Sequence, residues 1–233
     1  MARRIRQIYD GKCDTDFDGI LNAKYCTDFV REPLEIKNHM RDIPWTRVEY
    51  PMYAKTRTTP RLTWCYGRIT DEIVRYRGKN FMTEPLPHWL ANLRDQIAEK
   101  TGFYANATIL NFYTHGSEHI NWHADDEKFL EEKTVASISL CGERVFSMRN
   151  DTHRVDITLR DGSLLMMYDA TEHCLEAEKV ARGRFNITFR KLNSEKGMGN
   201  YYYYNRGLQS QIAVADYNRG LQSQITIGDA EYK

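Results

Sequence analysis

The second half of the chain alternates apolar and polar residues over a series of short segments. This period of two occurs at residues 105–113, 134–140, 144–149, 154–160, 163–168 and 184–191. Because successive side chains of a strand point to opposite faces, each segment is predicted to be a β-strand with one buried face. Many short strands after one or two helices predict an antiparallel sandwich or barrel with helices on one face.

Residues 86–101 have a different period. Leu86, Leu90, Leu93 and Ile97 recur at helical spacing, and Gly102 follows at a position where helices often end. This segment is therefore predicted to be an amphipathic helix whose apolar side packs on the core. Residues 1–40 predict only one or two further helices, in an N-terminal extension that packs on the core.

Length and charge limit the class of protein. The 233 residues include 33 Lys and Arg against 32 Asp and Glu, and 41% are hydrophobic, which excludes collagen-like, wholly disordered and extremely basic proteins. The five cysteines form no CxxC pair, so free thiols in a reducing compartment are expected. No apolar segment is long enough for a signal peptide or a membrane span. We expect an intracellular, soluble monomer of the cytoplasm or nucleus, without a membrane partner.

Residues 41–80 are more basic than the rest of the chain. They contain nine Lys and Arg against four Asp and Glu, interleaved with six Trp and Tyr residues. Cations for phosphates and flat rings for unstacked bases are what a nucleic-acid surface needs. A solvated β-region whose aromatic residues simply pack is an equal alternative on this segment alone. We assign 41–103 as a nucleotide-recognition region with its supporting helix.

The last forty residues differ in composition from the preceding domain. Two near-identical copies, YNRGLQSQIAVAD at 204–216 and YNRGLQSQITIGD at 217–229, follow a run of tyrosines. Two copies are too few for a solenoid. Residues 193–233 are therefore predicted to be a flexible tail, and 104–192 to be the catalytic core.

The clearest chemical motif is His123 and Asp125, which form an H-x-D unit after a predicted strand. On an extended segment these two side chains point to the same side, so both can bind one face of a cation. A second histidine from elsewhere would complete the two-histidine, one-carboxylate triad, which leaves positions on Fe(II) open for a co-substrate and O2. H-x-D by itself is also common on surface loops.

The last predicted strand carries a second motif. Arg184, Asn186 and Arg190 point to one face, and Phe185 and its apolar neighbours point to the other. Burying two guanidiniums is too costly unless anionic groups meet them, and a dicarboxylate suits two guanidiniums. The alternative is the solvent-facing polar side of an edge strand.

Together with Asn111 and Tyr113, which share one face of an earlier strand, these motifs resemble the AlkB family of Fe(II)/2-oxoglutarate dioxygenases. The resemblance covers residues 104–191 and extends more loosely to PRLTWCYG at 60–67. It implies a mostly β, double-stranded β-helix (jelly-roll) fold with flanking helices. It also implies oxidative demethylation of 1-methyladenine and 3-methylcytosine in DNA or RNA. The reaction would use Fe(II) as cofactor, consume O2 and 2-oxoglutarate, and release formaldehyde, succinate and CO2.

The resemblance also implies roles for particular residues. Metal ligands are expected at His123 and Asp125, and 2-oxoglutarate contacts at Asn111, Tyr113, Arg184, Asn186 and Arg190. Arg190 is expected to bind the distal carboxylate of 2-oxoglutarate. Nucleic-acid contacts are implied at Asp126 and Glu127 near the target base, at Tyr66 stacking on the flipped base, at Arg61 on the strand, and at Tyr53 as a wedge.

The third metal ligand is expected in the connection before the last strand, DATEHCLEAEKVARG, and this connection departs from the family pattern. His173 is the only histidine in it and is predicted to be the third ligand. Glu176, by an alignment that keeps the usual loop length, and His153 are the alternatives. Two other functions remain open: a dioxygenase acting on a protein side chain, and an iron-free nucleic-acid-binding relative.

Overall fold

The computed structural model describes residues 4–47, 49–52, 55–67, 74–76, 79–81, 85–126, 130–179 and 182–193. They belong to one compact unit that ends at Asn193. The repeat-containing tail lies outside the described residues, as do Tyr53 and Glu127. The predictions made for these parts of the chain stay predictions.

The first half of the chain contains eight short strands and two helices. They are β1 (Ile5–Tyr9), β2 (Thr15–Asp16), β3 (Ala23–Cys26), α1 (Pro33–His39) with a 3-10 turn at Met40–Asp42, β4 (Glu49–Met52), β5 (Lys55–Thr58), β6 (Leu62–Gly67), β7 (Val74–Tyr76), β8 (Lys79–Phe81) and α2 (His88–Thr101). Beyond α2, the secondary-structure elements of the described residues are all strands. They are β9 (Ala107–Tyr113), β10 (Ile120–His123), β11 (Leu130–Cys141), β12 (Arg144–Arg149), β13 (His153–Leu159), β14 (Leu164–Met167), β15 (Glu172–Leu175) and β16 (Arg184–Leu192).

Two sheets form the body of the fold. The larger has the order β2-β3-β14-β11-β16-β9-β6, and the smaller has the order β1-β13-β12-β15-β10. Apart from the parallel pair β1 and β13, the strands of both sheets pair antiparallel. The predicted mostly β, jelly-roll class with flanking helices is confirmed.

Apolar side chains of both sheets meet in the space between them. Tyr113 and Leu165 from the larger sheet pack in one cluster with Met148, Val155 and Ile157 from the smaller sheet. We call the faces that border this space the inner faces. Truncation of a fully buried residue such as Met148 to alanine is expected to cost about 2–5 kcal/mol.

Helix α2 covers the outer face of the larger sheet. Its Leu90, Leu93 and Ile97 are buried in a cluster with Leu110 and other outer-face residues of that sheet. The predicted helix is confirmed, with its start two residues later, and it ends at Gly102 in the left-handed region at φ 74°. Among the described residues no helix is long and apolar enough to cross a membrane.

The N-terminal residues contain one of the one or two predicted helices, and they also contain strands that the sequence analysis did not predict. β1 pairs with β13, β3 pairs with β14, and α1 spans only seven residues. The partner of β1, and the partner that ties β3 to the core of the larger sheet, lie more than a hundred residues away in the sequence. A local pattern cannot reveal pairing of this kind, because the stabilising contacts come from distant strands.

The connection that carries His173 is also a strand. β15 pairs with β12 on one side and with β10 on the other, so both segments that carry predicted metal ligands lie within the smaller sheet. The sequence analysis treated this part of the chain as a loop. Its four residues lack a clear alternation, and only the neighbouring strands complete its hydrogen bonds.

Candidate active site

The predicted ligands His123 and His173 are cross-strand partners on β10 and β15. Met148 is the partner of His173 on β12 and lies in the core between the sheets, so the two histidines share this inner face. Asp125 follows two residues after His123. His123 Nε2 is 3.9 Å from Asp125 Oδ1, and His173 Nε2 is 4.0 Å from Asp125 Oδ2.

Both imidazoles are oriented by a hydrogen bond to a backbone carbonyl oxygen. Nδ1 of His123 lies 2.8 Å from the carbonyl oxygen of Asn121, and Nδ1 of His173 lies 2.8 Å from that of Thr171. A carbonyl oxygen only accepts, so each Nδ1 carries the hydrogen and donates it. Each Nε2 therefore keeps its lone pair and faces Asp125, as a metal-binding histidine requires.

The protonation states suit metal binding. Burial, with a smaller effect of His173, lowers the pKa of His123 to about 4, and burial also lowers the pKa of His173. Burial alone would raise the pKa of Asp125, but Arg190 and the two imidazoles outweigh it and lower that pKa to about 2. At neutral pH the cluster therefore offers two neutral imidazoles and one carboxylate.

This donor set fits Fe(II). The ligand atoms of His123, Asp125 and His173 all lie within 4.8 Å of one another, and two nitrogens with one carboxylate form the facial set typical of non-haem iron oxygenases. The alternatives lie elsewhere. The carboxylate of Glu176 binds Arg154 at 2.8 Å, and Nδ1 of His153 hydrogen-bonds with Thr152.

Arg184, Asn186 and Arg190 lie on one face of β16, and we call them the row on β16. Arg190 lies at the end of this row that is nearest the predicted metal ligands. Its Nη2 donates to Asp125 Oδ2 at 2.7 Å, and its Nη1 donates to the Thr188 hydroxyl at 2.9 Å. These contacts place Arg190 beside the metal ligands, and its predicted contact with the distal carboxylate of 2-oxoglutarate stays a prediction. Because Arg190 contacts the carboxylate of Asp125, it lies close to the metal-bound end of any ligand that extends away from the metal.

Arg184 lies at the other end of this row. Its side chain is buried, its Nη2 donates to the Ser139 hydroxyl at 2.8 Å, and its Nε has no hydrogen-bond partner among the described residues. Its guanidinium carbon is 5.5 Å from the centre of the Tyr113 ring. Burial lowers the pKa of Arg184 to about 10, so it is still a cation at neutral pH. A buried cation of this kind suits a carboxylate.

Asn111 and Asn186 lie between these two arginines. They are cross-strand partners on β9 and β16, and the side chain of Asn111 donates to that of Asn186 at 3.5 Å. Asn111 shares its face of β9 with Tyr113, which packs in the cluster between the sheets, so the row also faces this space. β16 lies between β11 and β9 and is a central strand. This finding excludes the alternative of a polar edge strand exposed to solvent.

Two predicted nucleic-acid contacts are corrected by the structure. Tyr66 pairs with Thr108 and packs in the outer cluster under α2, on the opposite face of the sheet from Asn111, so it cannot stack on a base at this site. Arg61 is 1% exposed and donates from Nε to Asn111 Oδ1 at 2.6 Å. It lies inside the site and is not part of a phosphate-binding surface.

Asp126 is exposed and follows the buried Asp125 directly. It is the one residue of the expected acidic pair that the structure describes. Its predicted position near the target base stays a prediction.

The sequence analysis missed the hydroxyls of Ser137 and Ser139. Ser137 accepts a hydrogen bond from Asn186 at 2.8 Å, and Ser139 accepts one from Arg184. Both serines are buried on β11. The signal was present in VASISL, because its period of two places both serines on one face.

Comparisons with known proteins agree with this geometry. The family model of the 2OG-Fe(II) oxygenase superfamily matches residues 21–190. Alpha-ketoglutarate-dependent dioxygenase alkB homolog 3 of Bos taurus is 34% identical over 195 residues, which cover 74% of this chain and 66% of the bovine protein. DNA oxidative demethylase ALKBH2 of Mus musculus is 33% identical over 160 residues, which cover 60% of this chain and 65% of that protein.

A solved oxidoreductase of the 2OG-Fe(II) oxygenase family from Burkholderia pseudomallei shares the fold. It has a TM-score of 0.57 at 12% identity and covers 84% of this chain and 98% of that structure. The chain therefore belongs to the 2OG-Fe(II) oxygenase superfamily, and its relatives show that it is an AlkB-type member. It spans just under two thirds of the length of the two curated relatives.

Proposed function

We propose that the protein catalyses 2-oxoglutarate-dependent oxidative demethylation of N-alkylated bases, 1-methyladenine and 3-methylcytosine, in DNA or RNA. The observation that carries this proposal is the His123, Asp125 and His173 cluster, which faces a row of buried cationic and amide side chains. Fe(II) would be held by these three residues, and when bound it would supply the activation of O2.

The row on β16 supports 2-oxoglutarate as the co-substrate. Arg190 is already engaged by the Asp125 carboxylate, whereas Arg184 is buried without a carboxylate in hydrogen-bond contact among the described residues. We assign the distal carboxylate to Arg184, next to Tyr113. Asn111 and Asn186 line the path between this cation and the metal ligands. A dicarboxylate therefore matches the charge of the row.

The surroundings of the metal ligands favour chemistry shielded from water. Asp125 and His173 are buried, and the Phe146 ring stacks on His173 with centroids 5.3 Å apart. These contacts fix the ligand geometry and keep solvent from the reacting atoms. Arg190 holds Asp125 in place and in its ionised form, because it donates to the carboxylate oxygen from a fixed direction.

A nucleic-acid substrate is supported by two independent features. The relative named DNA oxidative demethylase ALKBH2 acts on DNA by its name, and residues 41–80 carry an excess of positive charge with interleaved aromatic residues. A base methylated at a pairing position flips out of a helix at a lower cost than an intact base. The exposed carboxylate of Asp126, next to Asp125 in the chain, suits the positive charge of such a base.

The test is incubation of the Fe(II)-loaded protein with oligonucleotides that contain 1-methyladenine or 3-methylcytosine, in the presence of 2-oxoglutarate and O2. Formaldehyde, succinate and the restored base, measured by mass spectrometry, are the expected products. The His123→Ala variant should fold and yield none of them, because it lacks one ligand.

Other outcomes separate the alternatives. If the protein binds no Fe(II) and consumes no 2-oxoglutarate, it is an iron-free relative. If it consumes 2-oxoglutarate with a peptide and ignores every methylated oligonucleotide, the substrate is a protein side chain. Either result overturns the proposed function.

A further inference from the structure

A directed series of hydrogen bonds runs from Arg61 across three strands of the larger sheet within the candidate site. Arg61 donates to Asn111 at 2.6 Å, Asn111 donates to Asn186 at 3.5 Å, and Asn186 donates to Ser137 at 2.8 Å. These residues belong to β9, β16 and β11, and Arg61 directly precedes β6. Every side chain in the series is buried, so water cannot replace its members cheaply.

The direction of this series is imposed from the Arg61 end. A primary amide can present either its oxygen or its NH2 group to a neighbour, and the two orientations have almost the same shape. A guanidinium only donates, so it forces Asn111 to turn its oxygen toward Arg61. The Asn111 NH2 group then points toward Asn186, whose oxygen accepts.

The Asn186 amide is also fixed from the side of β11, and its orientation agrees with the direction of the series. Its Nδ2 donates to the Ser137 hydroxyl and, at 3.0 Å, to the carbonyl oxygen of Ile138. The carbonyl accepts only, so the Asn186 NH2 group must face β11. The two ends of the series agree in polarity, and this agreement leaves both amides with one orientation.

We propose that Arg61 is a positioning residue for the co-substrate, because it holds the orientation of the Asn111 amide, which lies with Asn186 between the metal ligands and Arg184. This inference rests on the proposed function, since it gives Asn111 and Asn186 a 2-oxoglutarate-binding role. Arg61 acts through Asn111, and its effect is to present a fixed set of donors and acceptors to an anionic ligand.

A second contact agrees with this position. The guanidinium carbon of Arg61 is 5.9 Å from the centre of the Tyr113 ring, and Arg184 is 5.5 Å from the same ring. Tyr113 therefore lies against both guanidiniums, one from β16 and one from the start of β6. A cation on a ring face holds the ring in place, so Arg61 also restrains a side chain assigned to the distal carboxylate.

The experiment compares Arg61→Gln with wild type. Glutamine keeps a buried amide but can both donate and accept, so it does not impose an orientation on Asn111. We expect the KM for 2-oxoglutarate, and the Kd of 2-oxoglutarate for the Fe(II)-loaded protein under anaerobic conditions, to rise about 10-fold. The Kd for a methylated oligonucleotide should change less than about twofold, since Arg61 is not on the surface.

A double-mutant cycle separates positioning from general damage to the fold. In an Asn111→Ala background the amide that Arg61 orients is absent, so Arg61→Gln should produce little further loss of 2-oxoglutarate affinity. Thr108→Val is the matched control, because Thr108 is buried in the same sheet, its side chain lies on the opposite face of β9 from Asn111, and its hydroxyl donates to the carbonyl oxygen of Tyr66. It should leave the Kd for 2-oxoglutarate unchanged.

Three outcomes would overturn this inference. They are an unchanged 2-oxoglutarate Kd in folded Arg61→Gln, full additivity of the Arg61 and Asn111 effects, or a loss of oligonucleotide binding alone, which would make Arg61 a nucleic-acid contact. If Arg61→Gln does not fold, Arg61→Lys is used in the same cycle, because its ammonium also only donates and should retain part of the affinity. If the wild-type protein itself neither binds nor consumes 2-oxoglutarate, this result overturns the proposed function. It can be told apart from a failure of the Arg61 inference, in which wild type binds 2-oxoglutarate and the variants do not behave as expected.

Discussion

His123 and His173 pack as direct cross-strand neighbours, with ring centroids 4.2 Å apart and ring planes inclined by 57°. Each ring is held by the carbonyl oxygen two residues before it in the chain. Two histidines of distant sequence position are thus supported by the same local geometry. This symmetry places both Nε2 atoms about 4 Å from the carboxylate of Asp125.

The first prediction follows from this pairing. His173→Ala should lose Fe(II), because it removes one of three ligands and leaves only His123 and Asp125. Glu176→Ala should keep Fe(II), because its carboxylate pairs with Arg154 and is half exposed. Iron stoichiometry after anaerobic reconstitution measures both. Iron retained by His173→Ala and lost by Glu176→Ala would reverse the assignment.

The second prediction concerns the two arginines of β16. Arg184→Lys should raise the KM for 2-oxoglutarate by about 10-fold and leave iron content unchanged, because an ammonium cannot reproduce a bidentate clasp of the distal carboxylate. Arg190→Lys should instead weaken iron retention, since Arg190 holds Asp125. Steady-state kinetics and metal analysis distinguish them. An unchanged KM in Arg184→Lys would contradict the assignment of the distal end.

The third prediction concerns stability and pH. Asp156 is buried in the smaller sheet and accepts hydrogen bonds from Ser147, Arg154 and Arg6. Asp156→Asn should lower the free energy of unfolding by about 1–3 kcal/mol at pH 7, because charge-assisted bonds are lost and Arg154 is left with a weaker partner.

The pH dependence of this effect has a definite sign. Burial acts to raise the pKa of Asp156, but the bonds from Arg154, Ser147 and Arg6 outweigh it and hold the pKa below the usual 3.8. The stabilisation by Asp156 is therefore fully present above 3.8 and is lost as the pH falls through the lower folded-state value. Urea unfolding of wild type and Asp156→Asn should differ at pH 7 and converge at strongly acidic pH. An equal difference at both would refute the linkage.

The fourth prediction concerns the thiols. Burial raises the pKa of Cys65 to about 12, whereas Cys13 is exposed. Iodoacetamide at pH 8 should alkylate Cys13 in the folded protein and leave Cys65 unmodified, because the thiolate is the reactive form. Peptide mass spectrometry locates the label, and denaturation in urea should make Cys65 reactive. Rapid labelling of Cys65 without denaturant would contradict its buried placement.

The strand pattern was predictable where the alternation was long and bounded by turns. β12 was predicted with both bounds correct, and β9, β13, β14 and β16 within two residues at each end. β10 and β15 were not recognised as strands, since four residues around a histidine have too little alternation. β1 and β3 were missed for a related reason, because the strands that join them to the two main sheets, β13 and β14, are distant in the sequence.

The errors at the site were errors of register. Tyr66 lies three residues after Thr63, and Thr63 is the cross-strand partner of Asn111, so Tyr66 must point to the opposite face of the sheet. No property of the PRLTWCYG segment alone gives this pairing. The contact between Arg190 and Asp125 could not be predicted either, because their distance depends on how β10 and β16 pack in the folded chain.

The sequence by itself determined which residues could do chemistry and which side of its strand each one occupies. A period of two is a local property of the backbone, so the shared face of Arg184, Asn186 and Arg190 followed from their spacing. Only the tertiary structure decided which faces meet. The convergence of His173 on His123 and Asp125, and the burial of Arg61 against Asn111, depend on pairing between strands distant in the chain, which is set by packing of the whole core.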